Sequence, residues 1–134
     1  MLGTFQHTTL RLEFPASETT LRDSLLRPDQ FRQWLWPQQF DAGLPARLTP
    51  GLKFSSQAGP IKIQHQVVTA TDQNLRIILS GGVDGFQDWH WGEGWLQSRL
   101  EGYSVLPLTL SHSLTLIRLR YHLSQKQNTD RTAA

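Results

Sequence analysis

Residues 106–123 read "LPLTLSHSLTLIRLRYHL", and two periodicities compete for them. Leu106, Leu108, Leu110, His112, Leu114 and Leu116 alternate as a strand does. Taken as a helix from about Thr109, Leu110, Leu114, Ile117 and Tyr121 recur at spacings of four, three and four, with Leu116, Leu119 and Leu123 beside them. Pro107 suits a boundary, and "LIRLRYHL" is rich in good helix formers. The helix is the favoured reading, roughly 15–18 residues and about 25 Å long at 1.5 Å per residue. A polar tail from Ser124 is expected to fray.

Upstream of this segment the chain is mostly extended. "TFQHTTLRLEF" (4–14) places Thr8, Leu10, Leu12 and Phe14 on one side of a strand that Pro15 stops. Ser17 fits a helix N-cap, with Leu21 and Leu25 one turn apart. Pro28 ends that helix or opens a second short one through "DQFRQWLWP". Short strands follow between breakers. "IKIQHQVVTA" (61–70) puts Ile61, Ile63, His65, Val67 and Thr69 on one face. Two longer extended runs flank "GEG" (92–94). Periodicity alone therefore gives an α+β domain.

A chain of 134 residues with 38% hydrophobic and 18% charged residues is long enough for one folded domain, 1–134, and short for two. Without cysteine there is no disulfide, thiolate metal site or cysteine nucleophile, which suits a reducing compartment. Neither a secretory signal nor a membrane-spanning apolar run is visible, so a cytoplasmic protein without integral membrane contact is expected. The net charge is +2, but the basic residues are scattered rather than gathered into a stripe, which speaks against nucleic acid as a partner.

One strand, two short helices, six further strands and a long terminal helix form an order that resembles the START-like helix-grip superfamily. This group includes birch-pollen-allergen-like, lipid-transfer and polyketide cyclase/dehydrase proteins. "FPASETTLRDSLLRPDQFRQWLWP" (14–37) is similar to its first-strand and helix-pair region, and "LTPGLKF" (48–54) to a Gly-containing turn between early strands. The resemblance implies a seven-stranded curved antiparallel sheet gripping the terminal helix, with two short helices after the first strand. It also implies a space between sheet and helix that is commonly a ligand cavity, with Trp34 and Trp36 of the helix pair near its mouth.

The most unusual stretch is "DGFQDWHWGEGW" (84–95). With "GEG" as a three-residue hairpin loop, Trp91 and Trp95 face each other across two strands. One face then carries Gln87, Trp89, Trp91, Trp95, Gln97, Arg99, Glu101 and Tyr103. A one-residue slip would reverse this parity. Three tryptophans are too much apolar surface to leave in water, so that face is expected to turn inward. Core packing and ligand contact both remain open for them. The expected pocket is Trp34, Trp36, Ile63, His65, Trp89, Trp91, Trp95, Gln97, Arg99, Glu101, Tyr103, Leu114 and Ile117.

Arg99 is placed to orient an anionic head group, and also reads as a structural partner of Glu101. His65 and Tyr103 are candidate proton-transfer groups, against the common alternative of a satisfied core histidine. The histidines at 7, 65, 90, 112 and 122 show no metal-ligand spacing, and no phosphate-cradling loop or dinucleotide fingerprint is present. No metal or cofactor is expected. The sequence thus points to a protein holding a small hydrophobic or amphipathic ligand, such as a lipid, isoprenoid or polyketide. Two alternatives stand beside it: a polyketide cyclase/dehydrase-like enzyme, and an interaction module with a filled cavity.

Overall fold

A computed structural model describes residues 3–35, 38–104 and 106–133, with side chains through residue 128 of the terminal helix. Strand β1 (Thr4–Glu13) is followed by α1 (Glu18–Leu26) and α2 (Pro28–Trp34). Then come β2 (Gln39–Phe40), β3 (Lys53–Ala58), β4 (Ile61–Ala70), β5 (Asn74–Gly81), β6 (Val83–Gly92), β7 (Trp95–Ser104) and α3 (Leu108–Ala133). The seven strands form one antiparallel sheet in the order β1-β7-β6-β5-β4-β3-β2. Strands β2 to β7 are a plain meander, and β1 closes on β7 at the far edge. The helix pair is thus the crossover from one edge of the sheet to the other.

Local chemistry fixes the pair. Ser17 Oγ accepts the Thr20 N–H at 3.0 Å, as an N-cap should, and Pro28 takes the first position of α2, where its missing N–H costs nothing. Leu21, Leu25, Leu26, Phe31 and Trp34 are buried from the two helices. The Trp34 indole donates to Ser24 O at 3.0 Å, so its polar edge is satisfied inside the core.

Strands β6 and β7 approach too closely for side chains at one pairing, Gly85↔Gly102. A Cβ on Gly85 would lie 1.9 Å from Glu101 O, so only glycine fits there.

Helix α3 is longer than periodicity predicts, at 26 residues. The segment expected to fray continues the helix, with Lys126 Nζ donating to Gln30 Oε1 (3.0 Å) and Gln127 Nε2 to Pro15 O (2.6 Å). At the other end Gln6 of β1 sets the start: its Oε1 accepts the Leu108 N–H at 2.9 Å, and its Nε2 donates to Ser104 O and Leu106 O.

The buried stripe of α3 is also a different one. Leu108, His112, Leu116, Leu119 and Leu123 face the sheet, whereas Leu110, Leu114, Ile117 and Tyr121 are exposed, Ile117 at 63%. Both stripes have helical spacing. The chosen one lays His112 over two sheet hydroxyls, and its four leucines bury against the sheet. Among the described residues no helix is long and apolar enough to cross a membrane.

Candidate functional site

Helix α3 packs along β1 and β7, and its far end meets α2. The inner faces of β3 to β6 are therefore not filled by the helix. The helix pair roofs part of that surface, and a cavity of about 310 Å³ remains between sheet and α3. Its size falls at the lower end of the range typical of small-ligand pockets.

The walls come from alternate residues of each strand. Leu75, Ile77 and Leu79 of β5, Ile63 and His65 of β4, Phe54 of β3, Val83, Gln87 and Trp89 of β6, and Leu100 of β7 all line it. From the helix pair come Leu25, Phe31, Trp34 and Leu35. One wall is aromatic. Phe31 meets Phe40 edge-on at 5.0 Å, Phe54 stacks on His65 at 4.7 Å with planes 4° apart, and Trp34 meets Trp89 edge-on at 6.3 Å. Helix α3 supplies Leu108, Ser111, His112, Leu114, Thr115 and Arg118. Ser111 and Leu114 are exposed as well as lining, as is Leu106, so they mark the opening along the first turns of α3.

Two imidazoles sit in this apolar wall. Ser56 Oγ lies 2.8 Å from His65 Nε2, and burial lowers the His65 pKa to about 4, with Asp41 opposing weakly. His112 Nε2 lies 2.8 Å from Ser98 Oγ, and Nδ1 is 3.4 Å from Thr8 Oγ1. Burial lowers its pKa to about 4 too. Both rings are neutral at pH 7. Gln87 Nε2 donates to Ser98 Oγ at 3.4 Å, so a polar chain runs from the cavity wall through Ser98 and His112 to β1.

Of the expected pocket residues, Trp34, Ile63, His65, Trp89 and Leu114 line the cavity. Trp36 lies outside the described residues. The β7 residues are misplaced by one position. The hairpin loop has two residues, Glu93 and Gly94, with Gly94 at φ 75°, so Gly92 pairs with Trp95 and Trp91 with Leu96. That slip turns Trp95, Gln97, Arg99, Glu101 and Tyr103 to the outer face and brings Leu96, Ser98 and Leu100 inward.

On that outer face Arg99 pairs with Glu101 at 2.9 Å, the Arg11 guanidinium lies 4.8 Å above the Trp95 ring, and Tyr103 is 54% exposed. Tyr103 and His65 therefore share no site. Trp91 faces inward at 1% exposure but belongs to the solid core rather than the cavity lining. Ile117 points away from the sheet with the exposed stripe. Thr69 also leaves its expected face, because a register shift between Val67 and Thr69 pairs it with Arg76.

Sequence reasoning missed Phe31, Phe40, Phe54, Gln87, His112 and Arg118 as lining residues. Two signals were available: the three-residue spacing of Phe31 and Trp34 on one helix, and the four-residue steps Leu108-His112-Leu116. Among the described residues no group of three or more His, Asp or Glu side chains is placed to hold a metal.

No protein-family model matches the chain, and no curated protein matches its sequence. Solved structures do share its architecture. Protein CV1439 from Chromobacterium violaceum is 14% identical with a TM-score of 0.68, the match covering 86% of this chain and 94% of that one. The AHSA1 protein from Silicibacter pomeroyi is 14% identical with a TM-score of 0.65, covering 90% and 99%. DynU16, from the dynemicin biosynthetic locus, is 16% identical with a TM-score of 0.67, covering 88% and 47%. The chain thus spans about half the length of DynU16. At these identities the likeness is one of fold: the chain has the helix-grip fold.

Proposed function

We propose that the chain binds a small hydrophobic or amphipathic molecule between the sheet and α3. One observation carries this: a space of about 310 Å³ that the core side chains leave open, walled by aliphatic and aromatic groups with a few polar ones. An apolar ligand there gains about 0.8 kcal/mol per buried methylene before ordering costs. The neutral His65 and His112 demand little desolvation, and Gln87 offers an amide for orientation. The open volume counts against an interaction module with a filled interior.

The cyclase/dehydrase-like alternative has one observation on its side, His65 in the cavity wall, and one fold relative from a biosynthetic locus, DynU16. A pKa of about 4 makes His65 a weak base for work near neutral pH, and Tyr103 is on the opposite face. Binding is the better supported reading.

Trp34 and Trp89 line the cavity and are natural reporters. Titrating a series of straight-chain alcohols should change tryptophan emission saturably, with affinity rising by about threefold to fourfold per methylene until the cavity is full. Native mass spectrometry of the freshly purified protein, against a denatured control, would identify any retained molecule. Flat titrations across the series together with a clean apo mass would sink the proposal.

A further inference from the structure

We propose that the cavity selects a carboxylate-headed amphiphile whose head group is held by Arg118. This rests on the binding reading above and names the ligand class it takes.

Arg118 is the one formally charged residue among the described residues lining the cavity; no Asp or Glu lines it. His65 and His112 are neutral and add no charge to that lining. Its position is that of a head-group contact. Ser111, Thr115 and Arg118 follow one another at spacings of four and three, so they form a single polar ridge of α3 beside the opening marked by Ser111 and Leu114. The remaining walls are apolar, and burying an anion among them would be costly. An amphiphile is therefore read end to end: tail against Phe54, Ile77 and Leu79, head at the ridge.

Arg118 is already engaged within the chain. A guanidinium carries five N–H donors in a planar fork, and a carboxylate needs two, so an existing contact does not preclude bidentate pairing. Asp41, whose charge is felt at His65, does not line the cavity, and its carboxylate accepts the Ser55 N–H at 2.7 Å. At about 310 Å³ the cavity lies at the small end for ligand pockets. That suits a medium-length alkyl chain or a compact ring system of similar bulk.

The test compares decanoate with decanol, titrated at pH 7.5 and constant ionic strength while following tryptophan emission. Wild type, Arg118→Gln, Arg118→Lys and Arg120→Gln are measured side by side. Arg120 is exposed, stacks toward Phe14 at 5.9 Å and does not line the cavity, so it controls for net charge. Wild type should prefer decanoate by tenfold or more, the size of a charge-assisted pair. Arg118→Gln should abolish that preference by weakening decanoate more than decanol, Arg118→Lys should keep only part of it, and Arg120→Gln should keep all of it.

Equal wild-type affinity for acid and alcohol overturns the inference and leaves the binding reading standing. A preference that survives Arg118→Gln overturns the assignment to Arg118. If neither compound binds, this inference fails, and the binding reading fails with it only where the whole alcohol series is flat and the native mass is that of the apo protein. Far-UV circular dichroism of each variant confirms that the comparison is between folded proteins.

Discussion

Ser98 Oγ lies 2.8 Å from His112 Nε2, and this contact fastens the terminal helix to β7 from beneath. Both residues are buried, so removing one partner leaves the other without its bond or water. Ser98→Ala should cost about 1–3 kcal/mol in urea unfolding, with an unchanged m-value. Adding His112→Leu to Ser98→Ala should recover part of that loss, because two apolar groups need no partner. A double variant less stable than Ser98→Ala would mean that the imidazole holds the helix by some other route.

Acid should loosen the fold before it affects carboxylates alone. His65 and His112 have folded pKa values of about 4 against an ordinary 6.5, so the unfolded chain takes up protons first as pH falls. Their contribution is complete above pH 6.5, declines between 6.5 and 4, and changes no further below that. For His65 the full effect is on the order of 3 kcal/mol. His122, lowered chiefly by burial, acts in the same direction. Thermal melts from pH 7 to 4 should show a falling Tm, with a shallower slope in His65→Gln; identical slopes would remove His65 from the account.

The two tryptophans flanking the hairpin turn should behave very differently. Trp91→Ala opens a hole in the core and should cost about 3–5 kcal/mol. Trp95→Ala removes an outer-face ring beneath Arg11 and should cost about 1 kcal/mol or less. Guanidinium denaturation of both variants reads the parity of β7 directly, since comparable losses would place both rings inside.

Glu93 Oε1 accepts the Glu18 N–H at 2.8 Å, so the tip of the β6–β7 hairpin caps the first turn of α1. Glu93→Ala should lower stability by about 1 kcal/mol, and Glu93→Gln by less, since the amide oxygen still accepts but no longer carries charge toward the helix dipole. Thermal melts at low and high salt separate the two parts. Decanoate affinity should stay within twofold, because Glu93 does not line the cavity.

The element order was legible because breakers and caps speak locally: Pro15, Ser17 and Pro28 each act on their own neighbours. Facing was less legible. The inward side of β6, with Gln87, Trp89 and Trp91, follows from bulk alone, but β7 inherits its parity from the turn. A choice between "GEG" and Glu93-Gly94 as the loop flips every residue from Trp95 to Tyr103.

The helix posed the same difficulty in another form. Two stripes about two residues out of phase have equal period, and the winning one contains a histidine that local hydropathy disfavours. Only the hydroxyls of Thr8 and Ser98, distant in the chain, make that histidine a good buried residue. Arg118 escaped notice for a related reason, since its place at the cavity depends on which stripe faces the sheet.

The β1–β7 pairing also bears on the order in which the protein assembles. Every other pairing in the sheet joins neighbours along the chain, but Thr4 is matched with Ser104, roughly a hundred residues away. During synthesis β1 must therefore wait, apolar side uncovered, until β7, the last strand of the sheet in chain order, has left the ribosome. The closure of that long loop is the pairing of highest contact order in the sheet, and the Gln6 clamp on the start of α3 joins the same two ends of the chain. Grip of the helix and completion of the sheet thus fall to the same strand.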